Sequence, residues 1–257
     1  MQRYTMEDNV RVVDRVFDIL ELLSIESSPV GISHISRMTG MSKSTVHRLV
    51  NSMYARSYVA RTKDGRYFLG YKIVELAGTH IDNLELVTEA KPFLSQISRE
   101  LELNAHLGIL DKAEVVYIEK MDVHPNIQKY TQIGQRSPAY CSSMGKCLLS
   151  GLSQSELKEV LEYIELKRYT KKTITDQAEL IKELREVRRR GWAIDDGEYQ
   201  ENHRCIGATI YDFRGVPIAA ISASGSADSL TGEMLDRTVT AVCSAAREIS
   251  LRMGYIV

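Results

Sequence analysis

Gly40-Met41-Ser42-Lys43-Ser44-Thr45-Val46-His47-Arg48-Leu49-Val50 constrains the fold of this chain more than any other stretch. It sets a turn glycine and a capping serine ahead of a short helix, directly after another short helical segment. Val46, Leu49, Val50 and Met53 recur at i, i+3, i+4 and i+7, which gives one buried stripe. At about 100° per residue the opposite face carries Ser44, Arg48 and Asn51, flanked by His47. Ser42 is placed to cap the helix. Lys43 and Thr45 fall in the first turn, where a helix end favours phosphate. Arg and Asn suit bidentate contacts to base edges, whereas Ser, Thr and Lys suit phosphates or single base contacts. A second helix of a helix-turn-helix has this form, although a solvated polar face on a small bundle would read the same way in isolation.

The flanking segments favour the first reading. Val10, Val13, Val16, Phe17, Leu20 and Leu23 predict an amphipathic helix over about 9–25, ended at Pro29. Ile32, Ile35 and Met38 predict a short helix capped by Ser33 and closed by Gly40. Tyr58-Val59-Ala60-Arg61 and Tyr67-Phe68-Leu69 alternate as strands around an Asp64-Gly65 turn. Three helices followed by a basic hairpin make a winged helix, with Lys63 and Arg66 placed on the wing to meet the phosphate backbone or minor groove. Charge agrees. Residues 31–70 hold seven cations (Arg37, Lys43, Arg48, Arg56, Arg61, Lys63, Arg66) against Asp64 alone, whereas residues 71–257 hold 23 basic and 27 acidic side chains. A basic module on a mildly acidic body is expected when only one end meets a polyanion.

Elsewhere the chain is ordinary for a globular protein: 257 residues, 44% hydrophobic and 26% charged. No apolar run approaches the roughly 20 residues of a membrane helix. The start, MQRYTMEDNVR, lacks the apolar core of a signal peptide, so cytoplasmic residence is expected. Cys141, Cys147, Cys205 and Cys243 show no ligand spacing, which argues against structural zinc and for thiols in a reducing compartment. No cofactor is expected.

A helix from Tyr71, striped by Ile73, Leu76, Ala77, Ile81 and Leu84, is read as a linker over 71–85 that also serves a dimer interface. Beyond it, 86–257 reads as an α+β domain on an antiparallel sheet. Its predicted elements are a helix at 87–97, strands at Ala105–Leu110 and Val115–Lys120, and an extended segment at Lys129–Ile133. There follow a helix capped by Ser142 or Ser143, a capping box at Ser153–Glu156, and a helix striped by Leu180, Leu184 and Val187. Strands Cys205–Tyr211 and Val216–Ser224 and a final helix at about 231–253 complete it.

Gly191-Trp192-Ala193-Ile194-Asp195-Asp196-Gly197-Glu198, then after six residues Cys205-Ile206-Gly207-Ala208-Thr209-Ile210-Tyr211-Asp212, resembles the signature of IclR-family transcriptional regulators. Ile133–Tyr140 followed by Ser142–Lys146 resembles that family's other marker, and Met41–Arg48 resembles its recognition helix. The resemblance implies a winged helix-turn-helix, a linker helix and a GAF/PAS-like effector domain. It further implies dimers or tetramers that bind a DNA operator and sense small organic, sugar or aromatic acids. Carried over by position, the effector would meet Ser143, Met144, Gly145, Asp195, Cys205, Ser222 and Ser224. The residues themselves fit: a helix N-terminus preceded by serines suits a carboxylate, and residues 222 and 224 share one strand face. Ser143 equally suits a helix cap, Cys205 a small core position and Asp195 a fixed turn. Gly197, Asn202 and His203 depart from the family pattern, and His203 faces either the pocket or solvent. No aromatic residue stands among those nominated, which favours a sugar acid over an aromatic one.

Two alternatives compete. A thiol enzyme would use Cys205 with His203 or His106, but no catalytic signature accompanies them. A metal-responsive regulator would use Asp195, Glu198, His203 and Cys205, at loose spacing.

Overall fold

The computed structural model describes residues 10–82, 85–123 and 131–256, with the side chains of 77–82 left aside. The chain divides into two compact units, Met1–Asn83 and Leu84–Val257.

In the first unit, α1 (Arg11–Ile25), α2 (Ile32–Thr39) and α3 (Lys43–Ala55) precede a hairpin of β1 (Val59–Arg61) and β2 (Tyr67–Leu69), and α4 (Tyr71–Asp82) follows. Asn9, in the expected first helix, lies outside the described residues, as do the side chains of Ala77 and Ile81 and the whole of Leu84. The core is Ile19, Leu22, Leu23, Ile35, Val46, Val50, Met53, Val59 and Tyr67. Of the expected α1 stripe, Leu23 is buried and Val16 and Leu20 pack against this core, but Val10, Val13 and Phe17 are exposed, at 61, 43 and 54%, because the core selects the face of Ile19, Leu22 and Leu23. Ser33 is not a cap either, since it sits inside α2 behind Gly31. Gly40 does close α2, in the left-handed region at φ +69° that favours glycine. Val30 exchanges backbone hydrogen bonds with Tyr67 at 2.9 and 2.8 Å, which ties the hairpin to the helices.

The second unit opens with α5 (Glu85–Leu101), then β3 (Asn104–Asp111), β4 (Glu114–Met121) and β5 (Arg136–Pro138). One 3-10 turn at Ala139–Cys141 leads into α6 (Ser143–Gly151), α7 (Gln154–Leu161) and α8 (Gln177–Arg190). Then come β6 (Trp192–Asp196), β7 (His203–Tyr211), β8 (Pro217–Ser226) and α9 (Gly232–Arg252). The strands form one antiparallel sheet in the order β5-β4-β3-β8-β7-β6. Two strands were not anticipated. Ile133-Gly134 is a turn and the short strand is β5, while β6 was read only as a motif. Lys129 and Tyr130, in the expected extended segment, lie outside the described residues.

Strand alternation explains the layers. Ile206, Ala208 and Ile210 turn one way, toward α9, while Cys205 and Gly207 turn toward α6. The α6 helix is buried at every residue from Ser143 to Ser150. It reaches the sheet because two glycines leave room. A Cβ on Gly207 would stand 3.0 Å from the Ser143 carbonyl carbon, and one on Gly145 would stand 2.1 Å from the Ala139 oxygen. Gly145→Ala is therefore expected to cost about 1–3 kcal/mol through overpacking. The measurement is urea unfolding; a variant as stable as the parent would show that the turn before α6 yields freely.

Candidate functional site

Two surfaces carry the nominated residues. On α3, Ser42 accepts the Thr45 N–H at 3.3 Å, which fixes the start of the helix. Ser36 on α2 donates to the Met41 carbonyl at 2.6 Å and pins the turn between the two helices. Val46, Val50 and Met53 anchor the inner face, so Lys43, Ser44, His47, Arg48 and Asn51 stand exposed together on the outer one. Asn51 Nδ2 and His47 Nδ1 lie 3.3 Å apart. On the hairpin, Gly65 adopts φ +85° and Thr62 Oγ1 accepts the Arg66 N–H at 2.9 Å. Lys63 is exposed at the tip, whereas Arg66 pairs with Asp64 at 2.8 Å. That ion pair partly neutralises Arg66.

The second surface is a narrow cavity of about 40 Å³ between α6 and the concave side of the sheet. Ser143, Met144, Asp195, Cys205, Ser222 and Ser224 all line it. Sheet register explains the convergence: Asp195 pairs with Cys205, Cys205 with Ser224, and Gly207 with Ser222. Gly145 stands apart. Its N–H is held by Ser142 Oγ at 3.2 Å, and its role is the close approach to Ala139. Ser142, not Ser143, is the cap. The N–H groups of Ser143 and Met144 consequently have no intrahelical acceptor, which suits them to an anion.

The sequence reading missed several wall residues. His106, Tyr117, Thr131, Ser137 and Tyr199 also line the cavity, as does His203. The two tyrosines correct the expectation of a pocket without aromatic rings. No periodicity flags them, because β5 and the paired β3–β4 edge become neighbours of α6 only through the sheet order.

Beneath the wall lies a buried ion pair that was also missed. Lys146, on α6 and fully buried, bonds to Glu198, with Glu183 of α8 at 3.9 Å. The Glu198 backbone N–H donates to Asp195 Oδ1 at 2.7 Å. Asp195 is thus built into the turn that carries Glu198, as well as facing the cavity. Burial of Asp195 pushes its carboxyl up to about 7, with the Glu198 charge adding to the rise. Burial likewise raises the Cys205 thiol well above its ordinary value, the reverse of an activated nucleophile. The metal arrangement is not formed either. Glu198 is spent on Lys146, and among the described residues no three ligand side chains converge.

A carboxyl raised in the folded state stabilises it below the unfolded value near 3.9, and that stability is lost as pH rises through the folded value. Stability of the second unit should therefore fall between about pH 4 and 7 through Asp195, and Asp195→Asn should flatten that decline. Denaturant titrations across the range test this; an unchanged slope would mean that Asp195 is ionised throughout.

With these geometries in place, comparison with known proteins is decisive. Residues 12–63 match the IclR helix-turn-helix domain, and residues 78–251 match the bacterial transcriptional regulator IclR C-terminal family. The chain is 38% identical over 249 residues to the HTH-type transcriptional regulator KdgR of Escherichia coli (strain K12), covering 96% of this chain and 94% of that protein. The crystal structure of the Thermotoga maritima IclR matches with a TM-score of 0.84 at 31% identity, covering 96% of this chain and all of that one. An IclR homologue from Microbacterium hydrocarbonoxydans, complexed with 4-hydroxybenzoate, matches at 0.83 and 27%, covering 94% and 98%.

Proposed function

The chain belongs to the IclR family of transcriptional regulators, and from that premise we propose that a small hydroxylated carboxylic acid in the α6 cavity tunes its grip on a specific operator. It is a DNA-binding regulator with a helix-turn-helix and an effector-binding C-terminal domain; relatives of this kind are regulators, not enzymes.

In this reading Arg48 and Asn51 meet base edges, and Ser42, Lys43, Ser44, Thr45 and His47 meet phosphates or single bases. Lys63 and, more weakly, Arg66 hold the backbone from the wing. The exposed apolar side chains of Val10, Val13 and Phe17, at i, i+3 and i+7 from the N-cap into α1, support self-association of the regulator. The 71–85 segment joins the two functions and carries the signal. Coupling requires that the acid bind one arrangement of the regulator better than the other.

The observation that carries the effector reading is the convergence of free helix N–H groups with Ser222, Ser224 and the buried wall of one cavity. A ligand carboxylate accepts from Ser143 and Met144, while the serine hydroxyls meet its other oxygens. The cavity must widen for such a ligand, since small-molecule sites usually enclose roughly 300 Å³ or more. Tyr117 and Tyr199 also favour a second reading, a hydroxylated aromatic acid stacked on the wall.

A thermal-shift screen of sugar acids and aromatic acids tests the assignment, because any ligand of the folded state raises Tm. Stabilisation by an acid that Ser222→Ala weakens is the expected result; indifference to every acid would overturn it. On the DNA side, Arg48→Ala should remove about 1–3 kcal/mol of discrimination at one base position. Lys63→Ala should weaken all sequences alike and flatten the salt dependence by about one unit. Selection of binding sites from a random pool, together with salt titrations, separates the two roles. An unchanged preference in Arg48→Ala would refute base reading by that side chain.

A further inference from the structure

The carboxylate reading leaves one end of the cavity unexplained. Asp195 and Cys205 stand on β6 and β7, whereas Tyr117 and Ser137 stand on β4 and β5 at the opposite edge of the sheet. Ser137 is paired to Val115 through the backbone, which fixes where its side chain enters the wall. The residue is only 2% exposed, and its Oγ has no hydrogen-bond partner among the described residues. The Tyr117 phenol lies close by without meeting hydrogen-bond geometry. A buried hydroxyl left in this way costs free energy that a ligand oxygen can recover.

The surroundings say what kind of oxygen fits. Burial holds the Tyr117 phenol above its ordinary value, so it remains a neutral O–H donor. His106 packs edge-on against that ring at 5.4 Å and shares a 2.8 Å hydrogen bond with Thr131 Oγ1. Burial pulls the imidazole down to about 4, so it too is neutral. Ser137, Tyr117 and His106 therefore offer neutral donors and acceptors, whereas the start of α6 offers N–H groups without intrahelical partners at a positive helix terminus.

We infer that Ser137 and Tyr117 form a subsite for a hydroxyl or carbonyl oxygen of the effector. A ligand hydroxyl there donates to Ser137 Oγ and accepts from the Tyr117 O–H. The inference rests on the effector reading above and narrows it to an acid that carries a neutral oxygen besides its carboxylate. A plain alkyl or aryl acid leaves the Ser137 hydroxyl unsatisfied and is discriminated against.

The test is calorimetric titration of the full chain with two matched pairs: D-gluconate against hexanoate, and 4-hydroxybenzoate against benzoate. In the parent, at least one hydroxylated acid binds more tightly than its plain counterpart. Ser137→Ala weakens that acid about 5- to 100-fold, as loss of one buried hydrogen bond implies, and leaves the plain acid unchanged. Tyr117→Phe, which keeps the ring, acts in the same direction. Ser137→Ala also leaves Tm without ligand unchanged or raised, since it deletes an unsatisfied polar group. Equal affinity within both pairs in the parent, or equal weakening of both members by Ser137→Ala, would overturn the subsite while leaving carboxylate binding intact. Failure of all four acids to bind would instead overturn the effector reading, and the subsite with it.

Discussion

The larger unit depends on one close approach, that of α6 to the concave face of the sheet. Gly207 and Gly145 make room for it on two sides, and a methyl group at either position would collide with backbone atoms. Once α6 is seated, Ser142 satisfies its third N–H and leaves the first two free. Those groups, which have no intrahelical partner, stand beside a wall of serines and are where the proposed effector carboxylate would bind. A helix that is buried all round is normally core and nothing more. Here its first turn also lines the cavity of the proposed effector site.

The buried Lys146–Glu198 pair ties that arrangement to the turn after β6. A lysine and a glutamate taken out of water recover their desolvation cost only through good mutual geometry, so the pair locks the turn after β6 to α6. Glu198 also donates its N–H to Asp195, so one hydrogen bond joins the cavity wall to the ion pair. A change of charge or shape at Asp195 is thereby felt by α6. Such a connection is what an effector needs if its binding is to reach residues beyond the pocket.

Much of this was legible in the chain. Local signals did well where local physics decides: Ser42 caps α3, Gly40 ends α2, and Ser153 with Glu156 forms a full capping box. Six of the seven nominated effector residues line one cavity, since sheet register gathers positions that a motif lists separately. Ser137, Tyr117 and the Lys146–Glu198 pair escaped notice. Their proximity comes from strand order, with β5 added at one edge and β6 at the other, and strand order leaves no period in the sequence. Half of the α1 stripe, Val10, Val13 and Phe17, went astray for a related reason. That helix has apolar residues on two faces, and only the tertiary core distinguishes Ile19-Leu22-Leu23 from Val10-Val13-Phe17.

The central claim is that effector and operator are linked through one molecule. Linkage is reciprocal: the factor by which the acid changes operator affinity must equal the factor by which operator changes acid affinity. The direct measurement is titration of the acid that stabilises the regulator most, carried out with and without saturating operator DNA. The account predicts two dissociation constants whose ratio matches the shift in operator affinity seen in gel or fluorescence titrations with the same acid. An acid that binds equally well to the free and DNA-bound protein would contradict it.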